Sequence, residues 1–358
     1  MNNNSLNSFL ETRENNFDII RFFAAILVMY SHSYPLTMGN DKTEPLMLLT
    51  KNQTGFGHLA VTVFFIISGF LITQSFDRSK NFYSFFRARI LRIYPALIVL
   101  LLLTVFVLGP LVTRLPLTEF FLNSETWKYL FLNMSLIGMQ YDLPGVFESN
   151  SFPISVNGSL WTLWFEFFFY LIVGLLGGLK LINKKVVLSL FMFCMILSYL
   201  YSYIEGPLLL NYFFKYINLF VYFSAGMLFY VFRHEVKLNS QLAILSFVIL
   251  IIGIYLGDFD QFFPLFGAYT LFYISFQKKV VFSGFSKMGD FSYGIYIYAF
   301  PIQQTITFYF NNQLKPSDNF WIALPITLVF SIISWHLIEK QALKLKKKVS
   351  IKEGFKAA

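Results

Sequence analysis

The sequence has little charge and few residues that bind metals. Only 13% of its 358 residues are charged, against roughly a quarter in an ordinary soluble domain, while 56% are hydrophobic. This balance excludes a soluble globular protein. The single cysteine, Cys194, excludes an internal disulfide and a thiolate metal site. No histidines and carboxylates have metal-ligand spacing on one helix, so we expect no metal.

The sequence instead contains many long apolar runs. A helix of about 20 apolar residues crosses a bilayer. The sequence contains about ten such runs, and only short connections lie between them. The sequence predicts one all-α, polytopic transmembrane bundle over residues 17–340, with a polar cytoplasmic leader (1–16) and a basic cytoplasmic tail (341–358). The predicted spans are 17–37, 58–76, 90–112, 159–181, 186–204, 212–232, 241–257, 262–277, 289–310 and 320–340.

Basic residues predict the orientation, because Lys and Arg are retained on the cytoplasmic side of a membrane. With both termini cytoplasmic, most of the basic residues lie inside. The net charge of +9 is then mainly a topology signal, with the lipid bilayer as the expected partner and no nucleic acid. The cations left on the outer side are Lys42, Lys51, Arg114, Lys128, Lys215 and Lys315.

The stretch "RFFAAILVMYSH" places Arg21 and His32 within the first predicted span. Their spacing of 11 residues is about three helical turns, so both side chains share one face, roughly 16 Å apart along the axis. Arg21 is then near the inner boundary and His32 in the outer half. Ionisable groups at membrane depth are functional candidates because they are costly there. Taken singly, Arg21 also fits a snorkelling arginine, and His32 a histidine satisfied by a neighbouring helix.

The segment "FFRARILRIYP" places a group of arginines at the inner end of the third span. Arg89 and Arg92 form an i, i+3 pair on one side of a helix, and planar guanidinium groups suit phosphate oxygens. With Arg21 at a similar depth, they predict an inner-facing anion site. Such a group also serves as an ordinary topology signal.

Glu166, in "SLWTLWFEFFFY", lies about two turns into the fourth span, at a depth comparable with that of His32. A glutamate within reach of a histidine makes an orienting and general-base arrangement. Ser68 in the second span more often satisfies helix backbone than acts as a nucleophile. The glycine that follows it, Gly69, is expected to allow close helix approach.

Several segments together resemble the acyltransferase-3 family, integral membrane proteins that O-acylate exported or surface carbohydrates using acyl-coenzyme A. They cover nearly the whole chain in the order of the family. The segments are the Arg21 and His32 pattern, "VFFIISGFLIT", Arg89 and Arg92 before "IYP", "SLWTLWFEFFFY", "MGDFSYGIYIYAFP" and "SWHLIEK".

The resemblance implies a role for each matching residue. His32 would be the catalytic histidine, and Arg21 its essential partner. The remaining assignments are Glu166 in the catalytic site, Arg21, Arg89 and Arg92 on the coenzyme A phosphates, and Trp161, Ser68 and Tyr170 lining the substrate site.

From these features we predict a multi-pass protein of the bacterial cytoplasmic (inner) membrane. It would transfer an acyl group, with acetyl expected, from acyl-CoA to sugar hydroxyls of a surface polysaccharide or a lipid-linked oligosaccharide. His32 either takes the proton of the hydroxyl or carries the acyl group itself. The outer connections 38–57 and 113–158 are expected to carry acceptor specificity.

Other interpretations stay open at this point. Some family members carry an extracytoplasmic esterase-like domain, which we do not expect here. The bundle therefore acts directly or a separate extracytoplasmic transferase completes the reaction. Many apolar spans with buried charges also describe a secondary transporter or flippase of a glycan or small metabolite. A non-catalytic membrane scaffold is a further alternative.

The chain departs from the family at two positions. Ala299 stands where the family commonly has a histidine, so this chain has no histidine at that position to take part in the reaction. Gln341 stands where a proline usually follows the Glu and the basic residue, and we expect this change to alter only the helix end.

Overall fold

A computed structural model describes residues 5–11, 15–79, 81–153, 155–201, 208–277 and 289–345, with backbone only for 208–212. Ten helices overlap the ten predicted spans, and the described residues contain no strand. The helices are α1 (Phe17–Met38), α2 (Phe56–Ser79), α3 (Phe82–Leu103), α4 (Trp161–Gly178), α5 (Lys184–Tyr201), α6 (Leu208–Val231), α7 (Ser240–Leu256), α8 (Ala268–Ser275), α9 (Ser292–Tyr309) and α10 (Pro316–Ser334).

Several of these helices are lengthened by irregular turns. α3 continues through a π-helical turn at Thr104–Leu108 into Gly109–Val112, and α10 continues through a π-helical turn at Trp335–Glu339. The helix Phe259–Phe262 and a π-helical turn at Phe263–Gly267 precede α8. Single-turn π-bulges are frequent at functional sites and bend a helix.

Seven of the described helical segments are long and apolar enough to cross a membrane, which makes this a multi-pass membrane protein. α7, at 17 residues, is apolar but shorter. The count of ten spans and the cytoplasmic placement of both termini stay predictions. The 113–158 connection contains the helix Ser124–Ser135.

The chain divides into two compact units, and the first contains Met1–Ala24, Pro45–Phe85 and Phe168–Gly289. Its centre is the contact of α2 with α6. A Cβ added at Gly69 would lie 1.9 Å from the carbonyl oxygen of Phe223, and one at Gly226 would lie 2.0 Å from that of Ile66. The prediction that Gly69 allows close helix approach is therefore confirmed. Aromatic rings fill the space beside this contact, including Phe70 and Phe272, whose centroids lie 4.8 Å apart.

Part of the polar leader is attached to this first unit. Residues Leu6–Glu11 form a short helix, and the backbone N–H groups of Leu6 and Asn7 donate to the carbonyls of Val236 and Arg233, each at 2.8 Å. Both segments are predicted to be cytoplasmic, so this contact agrees with the predicted topology. Most of the tail, residues 346–358, lies outside the described residues, as do residues 1–4 and 12–14.

The second unit contains Ala25–Glu44, Phe86–Phe167 and Asp290–Ala358. α9 packs against α10 so closely that a Cβ at Gly294 would lie 2.9 Å from the Cα of Ser331. Buried amides join its helices, since Gln303 Nε2 donates to the Met29 carbonyl and to Asn319 Oδ1, each at 3.0 Å. Polar side chains commonly hold membrane helices together in this way.

Candidate active site

His32 lies on α1, in the part of that helix that belongs to the second unit. α1 is continuous over its apolar run, so the spacing of Arg21 and His32 is helical, as predicted. The His32 ring meets the buried Phe300 ring edge to face, with centroids 5.1 Å apart and planes at 76°. Its Nδ1 atom is buried and has no hydrogen-bond partner among the described residues, while the side chain as a whole is partly exposed.

This environment suits a histidine that reacts. A structural histidine inside a protein has its ring nitrogens satisfied by hydrogen bonds, because an unpaired buried polar group is costly. His32 instead rests on an aromatic ring and leaves Nδ1 without a protein partner. A neutral imidazole of this kind can accept a proton or attack a carbonyl carbon.

Glu166 lies on α4, also in the second unit. Its carboxylate is within electrostatic range of the hydroxyls of Tyr293 and Tyr296 on α9, and Tyr296 shares a 2.5 Å hydrogen bond with Thr162 Oγ1. Glu166 and His32 share no hydrogen bond in the structure. The role of Glu166 as the group that orients His32 stays a prediction.

Arg92 is held by two acidic residues of the second unit, Asp290 just before α9 and Glu339 in the π-helical turn that continues α10. Its guanidinium donates to Asp290 Oδ2 at 2.6 Å and to Glu339 Oε2 at 3.0 Å. Its Cζ lies 5.6 and 5.7 Å from the ring centroids of Tyr293 and Trp335. Glu339 is 1% exposed. We call these five residues the Arg92 cluster, which joins α3 to the start of α9 and the end of α10.

The Arg92 cluster contains one of the arginines that were predicted to bind phosphate. The Arg92 guanidinium already binds two carboxylates, and Arg89 lies one turn nearer the predicted inner end of α3. Arg87 caps the last helix instead, donating to the Leu345 carbonyl at 2.9 Å. Phosphate binding by Arg89 and Arg92 stays a prediction.

The remaining site candidates are divided between the units. Ser68 Oγ donates to Tyr170 Oη at 3.5 Å within the first unit, which brings together two residues predicted to line the substrate site. Ser68 therefore bonds a side chain rather than its own helix backbone. Trp161 belongs to the second unit, where its ring meets Phe165 edge to face at 5.5 Å. Arg21 belongs to the first unit, and its part in a shared site with His32 stays a prediction.

Comparison with known proteins identifies the family. The family model described as an acyltransferase domain matches residues 14–336, which is most of the chain. The chain belongs to the acyltransferase-3 family. An O-acetyl transferase of Shigella phage Sf6 is 31% identical over 350 residues, covering 92% of this chain and 96% of the phage protein. Nodulation protein 10 of Rhizobium leguminosarum bv. viciae is 35% identical over 173 residues, covering 45% of this chain and 44% of that protein. No solved structure matches significantly.

The chain is thus an acyltransferase, and the structure shows two partners of Arg92 that the sequence did not single out. Asp290 and Glu339 lie inside the quoted segments "MGDFSYG" and "SWHLIEK". An acidic residue inside a predicted span was the available signal, because such a group needs a partner at that depth. Phe300, which contacts His32, could not be singled out from the sequence, because the chain has 46 phenylalanines.

The structure shows the surroundings of the two residues at which the chain departs from the family. Ala299 is 2% exposed and packs in an apolar cluster with Met29, Ile306, Phe320 and Ala323. It therefore serves as a packing residue in this acyltransferase. At the second position the helix runs on to Leu345, and Gln341 Nε2 donates to the His336 carbonyl at 2.9 Å. That this departure alters only the helix end stays a prediction.

Proposed function

We propose that this acyltransferase is an O-acyltransferase of the bacterial cytoplasmic membrane. It takes an acyl group, with acetyl expected, from cytosolic acyl-coenzyme A and places it on a sugar hydroxyl of a surface polysaccharide or lipid-linked oligosaccharide. The observation that carries the proposal is His32, an incompletely hydrogen-bonded histidine at membrane depth in a chain similar to an O-acetyl transferase over nearly its whole length.

In the direct mechanism His32 acts as a general base. It accepts the proton of the sugar hydroxyl as the hydroxyl oxygen attacks the thioester carbonyl carbon, and the carbon–sulfur bond breaks. His32 then returns the proton to the departing thiolate. The products are an acyl ester and a free thiol, so proton and charge balance without a metal. Glu166 would stabilise the imidazolium that forms transiently.

In the relay mechanism His32 itself attacks the thioester carbonyl carbon. The acyl group is held on the imidazole while the thiol leaves, and the sugar hydroxyl then attacks that acyl-imidazole. The two mechanisms differ in one observable species. Mass spectrometry of the protein incubated with acetyl-CoA alone should show an acetylated His32 under the relay, and an unmodified His32 under direct transfer.

The donor is a polyanion, and the inner arginines supply the chemistry it needs. Guanidinium groups form bidentate, charge-assisted hydrogen bonds with phosphate oxygens. Arg89 and Arg92 are the candidates on α3, and the Arg92 guanidinium also binds Asp290 and Glu339. Arg21 would assist from α1. The alternative of a secondary transporter or flippase gains no support, because the chain belongs to a family of acyltransferases.

The test is acyl transfer by the purified protein in proteoliposomes supplied with acetyl-CoA and acceptor glycan. We expect His32→Ala to lower the rate by about 100-fold or more, which is the usual contribution of a general base. His58→Ala is the matched control, because His58 pairs with Asp260 at 3.0 Å in the first unit and should leave the rate unchanged. Full activity in His32→Ala would overturn the mechanism.

Donor binding is tested separately with Arg89. We expect Arg89→Ala to raise the KM for acetyl-CoA by about tenfold, since one charge-assisted phosphate contact is lost. Arg89→Lys should recover part of that loss, because the charge is retained without the planar fork. An unchanged KM in Arg89→Ala would remove Arg89 from the donor site.

A further inference from the structure

A cavity of about 400 Å³ opens in the second unit, and nothing assigned so far uses it. Its size falls within the range of small-molecule sites, roughly 300–1,000 Å³. By the predicted topology it faces the outer side of the membrane. We call it the outer cavity, and it is lined by Arg114, Ser149, Phe308, Tyr309, Asn311 and Asn312.

Hydrogen bonds build the walls of the outer cavity. Asn312 Oδ1 accepts from the backbone N–H of Ser151 at 2.7 Å and from its hydroxyl at 3.1 Å. Asn312 Nδ2 donates to the Ser149 carbonyl at 2.9 Å. Asn311 and Asn312 have positive φ angles of 51° and 62°, which asparagine tolerates better than most residues. The 113–158 connection is thereby fixed to the turn that follows α9.

Arg114 is the residue of the cavity that most needs an explanation. It is the one arginine of the sequence on the predicted outer side, where basic residues are otherwise avoided. Its backbone N–H donates to the Gly145 carbonyl at 3.0 Å, but its guanidinium has no carboxylate partner among the described residues. An arginine that lines a cavity without an internal anion is suited to an anionic ligand.

The other lining groups suit a sugar. The exposed Tyr309 ring offers a flat apolar face, and it is 60% exposed. The Asn311 amide and the Ser149 hydroxyl offer donors and acceptors for sugar hydroxyls. Aromatic residues are common at a membrane boundary. That preference explains a tyrosine there, but it does not explain why a tyrosine, amides and a guanidinium line the same cavity.

α9 connects the outer cavity to His32. Phe300 contacts the His32 ring, and Phe308 lies eight residues further along the same helix, about 12 Å towards the predicted outer side. Between them Gln304 holds the 113–158 connection against α9, donating to the carbonyls of Phe152 and Ser155 at 2.8 Å each. A ligand in the cavity therefore lies further out along the helix than His32, at a distance longer than one sugar ring.

We propose that the outer cavity is an acceptor subsite for a negatively charged carbohydrate. Tyr309 packs on a sugar ring, Asn311 and Ser149 bond its hydroxyls, and Arg114 binds a carboxylate or phosphate group of the same glycan. The ring that is acylated lies deeper, at His32. The proposal rests on the proposed function, since it names the acceptor class for that reaction.

The test measures direct binding by the full chain in nanodiscs, using calorimetry. The probes are tetragalacturonate, which carries carboxylates, glucose 1-phosphate, neutral maltotetraose and inorganic phosphate. We expect at least one of the two anionic sugars to bind about tenfold or more tightly than maltotetraose and inorganic phosphate. Which of them binds distinguishes an acidic polymer from a phosphate-linked precursor.

Variants then connect binding to the cavity. Arg114→Gln should weaken the anionic sugar by about tenfold, and Tyr309→Ala should weaken it as well. Lys128→Gln is the matched control, because Lys128 is an outer cation already paired with Glu125 at 2.7 Å. Equal binding of maltotetraose, equal binding of inorganic phosphate, or unchanged binding in Arg114→Gln would each overturn the proposal.

A donor-only assay separates this proposal from the proposed function. Hydrolysis of acetyl-CoA without acceptor should be unchanged in the control Lys128→Gln, while the KM for the acceptor rises in Arg114→Gln in the transfer assay. If the wild type binds the anionic sugar but never turns over acetyl-CoA, the proposed function fails and the binding assignment stands. If it transfers acetyl groups with the same acceptor KM in Arg114→Gln, the subsite assignment fails alone.

Discussion

The Arg92 guanidinium and the Asp290 carboxylate lie 2.6 Å apart, although 198 residues separate them in the sequence. Glu339 completes the arrangement from α10 with an oxygen 3.0 Å from the same guanidinium. All three side chains are at most 19% exposed. The contact therefore fixes three helices of the second unit to one another, and it does so on the helix that also carries Arg89.

Removing Arg92 should destabilise the protein strongly. Arg92→Ala leaves two largely buried carboxylates without their cation, which typically costs about 3–5 kcal/mol. The measurement is the free energy of unfolding by denaturant in mixed micelles. Lys128→Ala is the control, because the Lys128 and Glu125 side chains are 57% and 42% exposed and such pairs contribute about 0–1 kcal/mol.

A second readout separates this structural role from donor binding. If Arg92 acts by positioning α9 and α10, the triple variant Arg92→Met, Asp290→Asn, Glu339→Gln should recover much of the stability lost in Arg92→Ala. An Arg92→Ala protein of unchanged stability with a raised KM for acetyl-CoA would instead make Arg92 a phosphate ligand.

The glycines between α2 and α6 should tolerate no side chain. In Gly69→Ala the new methyl group would meet the backbone of Phe223, which cannot move aside as a flexible side chain would. Forced overpacking of this kind costs about 1–3 kcal/mol. Gly178→Ala is the matched control, since a Cβ there has no atom within 4 Å. Equal thermal stability of the two variants would contradict the close approach of the helices.

The carboxylate of Asp260 should make stability depend on pH. Partial burial alone would raise the pKa of Asp260, but the hydrogen bond from His58, the charge of that ring and the Tyr222 hydroxyl lower it below its usual range. A lowered pKa in the folded state stabilises the protein above the unfolded value, about 3.9. That contribution is lost as the pH falls from about 4 through the folded pKa.

The comparison of wild type with Asp260→Asn tests this dependence. Near neutral pH the wild type should be the more stable of the two, and the difference in unfolding free energy should shrink as the pH falls below about 4. Tyr222→Phe removes one donor to Asp260 and should reduce the difference in part. A difference that stays constant from pH 7 to pH 3 would show that the carboxylate charge does not contribute.

The helices could be predicted from the sequence because the hydrophobic effect acts on the average of a long run. All ten apolar runs overlap helices, although α3 begins at Phe82, eight residues before its predicted bound of 90, and α8 begins at Ala268, six residues after its predicted bound of 262. The 11-residue spacing of Arg21 and His32 was enough to place both on α1. The π-helical turns escaped prediction. One inserted residue, as at Thr104–Leu108, barely changes the hydropathy of a window of about 20 residues.

The partners of the site residues could not be predicted in the same way. Asp290 and Glu339 are 198 and 247 residues from Arg92, and no local pattern specifies which of many helices meet. Arg92 alone therefore looked available for phosphate. Glu166 shows the opposite case. Its membrane depth predicted a functional role, while in the structure its carboxylate is within electrostatic range of the Tyr293 and Tyr296 hydroxyls.

The attachment of Leu6 and Asn7 to the carbonyls of Val236 and Arg233 has a consequence for biosynthesis. A ribosome adds about 5–20 residues per second, so the leader waits on the order of tens of seconds before its partner loop has been made. By then six of the ten helices have been synthesised. Docking of the leader can therefore begin only after the first six helices and the loop after them, about two thirds of the chain, have been synthesised.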